Sequence, residues 1–360
     1  MAEAPEICQT QHIGEKPFEV ETPNCGTIKC HVQGDLDKAE NKAVFLTVHD
    51  IGSNHHNFYT FVNHPTMIEI KQRSVFIHID VPGQEDHASD FANDFNFPTI
   101  QQLGEELNIV LDHLKVKLVV CFGEGAGANV LVRFALAYPA RVLGLILIHC
   151  VPFGAGVMEY FKDRFMNWKL QSVGMNASTE QYLVLHRFGA QLEVAENKDK
   201  LIQEFTENLK KRINARNLRR YVESYMVRKD IMGLIELHLK GMDVLLVAGA
   251  KSAHTQAVSN MYMKMDKQKT SFLKVDSAGD VLMEAPEKLS QSLHLFVKGL
   301  GFLTSVALPG VERHHGIYGH KTLGAVGRRP TLSMEDYDIP RPRSSQGASN
   351  ADKDKADKQN

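Results

Sequence analysis

The stretch LVVCFGEGAGANVLVRFALAYP, Leu118 to Pro139, has the make-up of a seat for a nucleophile. A Val-rich apolar run ends at Gly123, and a second apolar segment with helical spacing follows. Gly123, Gly125 and Gly127 fill the join. A strand, a sharp turn and a helix built this way expose a serine for covalent catalysis. The apex residue here is Gly125, which has no side chain and so forms no covalent intermediate. Losing such a nucleophile costs on the order of a million-fold in rate. A dinucleotide fingerprint is the other reading of these glycines. It needs G-x-G-x-x-G, and Val130 stands where the third glycine belongs, deep in the chain rather than near its first strand.

Further residues able to do chemistry follow two other apolar runs. His49, Asp50, Gly52, His55 and His56 follow one, and Asp80 and Gly83 follow the next. If these runs are neighbouring strands, their ends converge on Gly123, Glu124, Gly125 and Ala126. The expected pocket is then His49, Asp50, Gly52, Asp80, Gly123, Glu124, Gly125 and Ala126. A metal held by His55, His56, Asp50 and Asp80 is the bolder alternative, but no ligand pair has a zinc-like spacing. Asp50 and Asp80 capping turns is the plainer one. No metal and no cofactor is expected.

The elements that must position these residues are legible. HIGEKPFEVETP and GTIKCHVQGD read as a hairpin joined at Thr22-Pro23-Asn24. AVFLTVHD, SVFIHIDVP, LVVCFG and LGLILIHC are apolar on both faces, which suits a buried parallel sheet. PTIQQLGEELNIVLDHLK is the clearest helix, with Pro98 in its first turn and a stripe of Ile100, Leu103, Leu107, Val110, Leu111 and Leu114. Strand patterning stops over residues 152–240 and returns in MDVLLVAGA and TSFLKVDSAG. The expected fold class is α/β: a mostly parallel central sheet flanked by helices, with a helical cap insertion at 152–240. Its domain spans residues 12–309, after a flexible N-terminus at 1–11. Residues 310–360 are rich in Gly, Pro, Arg, Ser, Asp and Lys, the composition of a disordered tail.

The bulk numbers narrow the function classes. A chain of 360 residues, 43% hydrophobic and 23% charged, buries a sizeable core. A net charge of -2 argues against nucleic-acid binding. Five cysteines at scattered spacings, with no CxxC, indicate neither a zinc site nor a disulfide framework. MAEAPEICQTQ is no signal peptide, and no apolar run is long enough to span a bilayer, so a cytoplasmic location is expected.

The order of these pieces resembles the α/β-hydrolase fold. The resemblance implies a G-x-S-x-G nucleophile, a histidine after the last strand and an acid after the preceding one. The matching positions hold Gly125, Asp280 (after Gly279) and Ser252 (in GAKS). All three catalytic types are replaced while the glycines and apolar runs around them stand. His254 and His294 lie nearby; the first reads as a surface residue, the second as structural. In such hydrolases the first loop supplies backbone N–H groups to an oxyanion hole.

TVHDIGSNHHNFY, HIDVPGQEDHA, PTIQQLGEEL, GEGAGANVLVRFALAYPARVLGLILI and TSFLKVDSAGD together are similar to the NDRG family, the N-myc downstream-regulated proteins. They span most of residues 12–305. The resemblance implies a non-catalytic, cytoplasmic hydrolase-like protein linked to signalling, growth control, differentiation and stress response, with a phosphorylated tail. The family's long tail repeats are absent here, so metal binding by them does not carry over. GRRPTLSMEDYD and IPRPRSSQGAS place arginines before Thr331, Ser333, Ser344 and Ser345, the expected phosphorylation sites. LKKRINARNLRR puts Lys210, Lys211, Arg212, Arg216, Arg219 and Arg220 on a cap helix. That patch suits acidic lipid headgroups or an acidic protein, or is an ordinary solvated face. A hydrolase using Glu124, His49 or Asp80 as acid or base, and a small-ligand sensor, remain the alternatives to an adaptor.

Overall fold

The computed structural model describes residues 17–154, 177–189 and 197–306. The expected N-terminal segment 1–11, the tail 310–360 with its four phosphorylation candidates, and parts of the cap lie outside the described residues.

The chain opens as the expected hairpin, β1 (Phe18–Thr22) antiparallel to β2 (Gly26–Gln33), with Phe18 opposite Cys30. Then come β3 (Ala43–Val48), β4 (Ser74–Asp80), β5 (Val119–Glu124), β6 (Val142–Ile148), β7 (Val244–Gly249) and β8 (Thr270–Val275). They form one sheet in the order β1-β2-β4-β3-β5-β6-β7-β8, parallel from β4 onward along that order. Every residue of β3, β4, β5 and β7 is buried, as two-sided apolar runs require. Alternate side chains feed two cores. Leu46 and Ile77 pack on the side of α3 (Ile100–His113) and α4 (Gly125–Ala137), while Phe45, Phe76 and Phe122 face α1 (His56–Val62) and the last helix, Pro286–Gly299.

The α3 stripe is buried as expected, but the helix starts at Ile100, two residues later than Pro98 suggested. The Thr99 hydroxyl accepts the Gln102 N–H at 3.2 Å and the Gln102 side chain accepts the Thr99 N–H at 2.9 Å. This reciprocal cap makes Thr99 the boundary and leaves Pro98 outside the helix.

Between β6 and β7 lie α5 (Ala177–Phe188), α6 (Lys198–Arg212), α7 (Ala215–Met226) and α8 (Met232–His238). α7 buries Leu218, Tyr221, Val222 and Tyr225, one face of a helix. The basic segment is therefore not one helix. Lys210, Lys211 and Arg212 end α6, while Arg216, Arg219 and Arg220 lie on α7, because Asn214 caps the second helix through the Arg216 and Asn217 N–H groups.

α4 lies so close to the sheet that a Cβ on Gly127 would sit 2.1 Å from the Val48 carbonyl oxygen. Gly127→Ala should cost about 1–3 kcal/mol by forcing backbone apart. Gly233→Ala, where nothing lies within 4 Å, should be neutral or mildly stabilising. Denaturant unfolding of both variants checks this; equal effects would contradict the packing argument.

Candidate functional site

β5 ends in extended backbone at Glu124, and Gly125 opens α4 at φ +53. This is the strand-to-helix elbow read from the glycines. The space beyond its apex is taken. A Cβ at position 125 would lie 2.0 Å from Oδ1 and 2.1 Å from Cγ of Asp50, from the loop after β3. Asp50 Oδ1 accepts the Ala126 N–H at 2.7 Å. In an elbow of this kind, the N–H after the apex is an oxyanion donor. Here a carboxylate of the protein's own chain sits on it.

The second Asp50 oxygen is paired with His186 Nε2 of α5 at 2.7 Å. Burial by itself would push the Asp50 carboxyl up. The charge and hydrogen bond of His186, together with the Ala126 N–H, outweigh it and hold the group well below the usual carboxylate range. The next residue of α5 repeats the arrangement: Arg187 Nη2 donates to Asp280 Oδ2 at 2.9 Å. Asp280, at the position expected for a histidine, also caps the helix Val281–Glu284 by accepting the Met283 N–H at 3.2 Å. Two consecutive side chains of one cap helix thus reach two carboxylates of the sheet domain.

Glu124 is buried between these charges. Burial first, then the Asp280 and Asp50 carboxylates, raise its pKa well above the ordinary value, so it holds its proton to higher pH. Ser252 Oγ accepts the His254 N–H at 3.2 Å. His254 is not the surface residue its loop suggested. Its ring lies 4.6 Å from that of His186, and its Nε2–H donates to the His186 carbonyl at 3.1 Å. His149 sits below at φ +52 and accepts the Gly249 N–H on Nε2 at 3.0 Å; burial lowers its pKa to about 4.

The eight residues expected to share a pocket fall into two groups. Asp50, Gly52 and Glu124 line a cavity of about 250 Å³ with His186, Arg187 and Asp280, beside the elbow residues Gly123, Gly125 and Ala126. His49 and Asp80 belong elsewhere. Asp80 Oδ2 meets His31 Nε2 at 3.1 Å and His55 Nδ1 at 2.8 Å, and Oδ1 accepts the His55 N–H at 2.7 Å. His49 Nε2 accepts the Val81 N–H at 3.0 Å. Asp50 is therefore apart from the histidines it was combined with as a metal alternative. Among the described residues, donor atoms within 4.8 Å of one another occur in His31, His55 and Asp80, and in His55, His56 and Asp86. In the first group both imidazoles already bond to Asp80, and in the second His56 already bonds to Asp86. Of the basic patch, Arg216 pairs with Asp90 at 2.6 Å and Arg219 with Glu223 at 2.7 Å, while Arg220 donates to the Phe95 carbonyl at 2.9 Å.

The sequence model of the Ndr family matches residues 19–304. The chain belongs to the Ndr family. An uncharacterised protein of Caenorhabditis elegans is 42% identical over 322 residues, 89% of this chain and 92% of that one. Protein NDRG3 of Xenopus laevis is 34% identical over 295 residues, 79% of this chain and 76% of the relative. Among solved structures, a thermophilic esterase from Thermogutta terrifontis superposes with a TM-score of 0.56 at 16% identity, over 79% of this chain and 99% of that one. A hydrolase from Pseudomonas aeruginosa does so with 0.55 at 18% identity, over 78% and 98%. The fold is that of the α/β-hydrolases. Among the described residues of this Ndr protein, no helix is long and apolar enough to cross a membrane.

The elbow makes its own test. Gly125→Ser should destabilise by about 1–3 kcal/mol, from a side chain at positive φ and a clash with Asp50. In an Asp50→Ala background the clash part is gone, so a double-mutant cycle should show coupling of about 1 kcal/mol or more. Strict additivity would mean that Asp50 does not fill the apex. Glu124 gives a pH test. Below its ordinary value of 4.5, folded and unfolded chains both carry it neutral. Above that value the unfolded chain ionises while the folded one resists, so stability is lost as pH rises. Glu124→Gln should gain on the native protein as pH rises above 4.5; a difference that stays constant with pH would contradict the raised pKa.

Proposed function

We propose that this Ndr-family protein is a non-enzymatic, hydrolase-like adaptor in intracellular signalling that acts through protein partners in the cytoplasm and is regulated by phosphorylation of its tail. The observation that carries the reading is Asp50. Its carboxylate takes the oxyanion donor Ala126 N–H and fills the space above Gly125, so an ester carbonyl has neither a nucleophile to meet nor a free donor to stabilise its oxyanion. Asp280, committed to Arg187, offers no imidazole for proton transfer. The relatives carry protein names rather than enzyme names. The ion-paired arginines of the cap favour a protein partner over acidic lipid.

A second reading has one observation behind it. Glu124 is a proton-holding acid on a cavity wall, the arrangement of a general acid. Turnover distinguishes the two. The native protein and Gly125→Ser should both be inactive on activated esters, since serine alone lacks its histidine and acid. Affinity capture from cells should recover partners with the full chain, and phosphatase treatment or removal of residues 310–360 should change which ones. Turnover abolished by Glu124→Gln would replace the adaptor reading with the enzymatic one.

A further inference from the structure

A second cavity, of about 350 Å³, opens between α7, the strand-end loop after β6 and the helix α9 (Thr255–Lys264). Its size falls at the small end of ligand pockets, about 300–1,000 Å³. Val151, Phe153, Leu185, Ala253 and Ala257 give it apolar walls. At one side stands Arg228, just beyond α7 and only 9% exposed. Its guanidinium stacks on the Tyr225 ring at 3.7 Å and, among the described residues, gives one hydrogen bond, to the Tyr225 carbonyl at 2.9 Å. Its Nε has no partner, and neither has the Tyr225 hydroxyl, although both are buried.

The charge around it is unbalanced. Among the described residues Arg133, also buried, bonds only to neutral groups: Asn129 Oδ1, Gln101 Oε1 and the Lys229 carbonyl. Burial, and then the charge of Arg228, lower its pKa to about 10. Asp230, two residues past Arg228, takes the Met232 N–H at 2.7 Å and forms no ion pair with either guanidinium. His186 and His254 at the far wall are engaged with Asp50 and with each other. A buried cation that pairs with no carboxylate among the described residues is costly. An anionic group in the cavity would supply that counter-charge.

We propose that this cavity binds a small amphiphilic carboxylic acid, its carboxylate paired with the Arg228 guanidinium and its apolar tail along Val151, Phe153, Leu185 and Ala257. A planar guanidinium matches a carboxylate, and the apolar walls disfavour a bare inorganic anion. This site is built from side chains other than the Asp50 elbow and shares with it only the wall at His186.

The test is calorimetric titration of the full chain with octanoate, octanol, acetate and inorganic phosphate. Octanoate should bind saturably at one site. Octanol lacks the charge, acetate lacks the tail, and phosphate lacks both the tail and the flat carboxylate shape; each should bind at least about tenfold more weakly. Arg228→Gln should weaken octanoate by at least about tenfold. Because that variant also loses the stack on Tyr225, Ala257→Phe serves as the second: it keeps the guanidinium, fills the cavity and should abolish binding while circular dichroism stays native. Absence of octanoate binding at millimolar concentration would overturn the proposal. So would octanol or phosphate binding as well as octanoate, or octanoate affinity unchanged in a folded variant of either kind.

Discussion

The carboxylate of Asp50 is the joint on which the rest of the site depends. One oxygen takes the N–H that follows the elbow apex, and the other takes a cap histidine from 136 residues away. In an active hydrolase the donor must be empty until charge develops on the substrate. Here it is satisfied in the resting fold. Because Gly125 adds no side chain, the elbow accommodates the carboxylate; with a Cβ at that position the two would overlap. Glycine at the apex and the Asp50 carboxylate above it are two sides of one packing solution.

That solution also explains how the cap is attached. His186 and Arg187 follow one another on α5 and reach Asp50 and Asp280 respectively. Asp50 and Asp280 here carry hydrogen-bonded pairs between cap and sheet. Charge-assisted hydrogen bonds of this sort are worth about 1.5–3 kcal/mol each when partly buried. The remaining acid, Glu124, sits among them without a full counter-charge and responds by keeping its proton. Function in a fold of this kind is read from the site, since the α/β-hydrolase scaffold hosts many activities.

Much of the fold was legible because its signals are local. Two-sided apolar runs gave β3 to β7, the stripe from Ile100 to Leu114 gave α3, and glycine spacing located the elbow. Local signals also misled where a neighbouring hydrogen bond decided the outcome. Thr99 caps the helix and leaves outside it the Pro98 expected in its first turn, and Asn214 split the basic segment into two helices. The site was only half legible. Asp50, Gly52 and Glu124 line one cavity, but Asp80 turns to His31 and His55 instead. His186 and Arg187 could not be found at all, since nothing in an amphipathic cap helix marks which residue meets a loop 136 positions earlier. His254 looked like a surface histidine because burial there comes from the cap, not from its own loop.

Hydrogen exchange measured by mass spectrometry and NMR on the native chain and on Asp50→Asn tests the role of Asp50 most directly. The charge-assisted bond to Ala126 and the pair with His186 predict slow exchange at the Ala126 amide and across Ala177–Phe188. Both should speed up in the variant, while the sheet strands β3 to β7 stay protected. Unchanged exchange at Ala126 and in α5 would contradict the account, for it would mean that the Asp50 carboxylate neither occupies the oxyanion donor nor holds the cap.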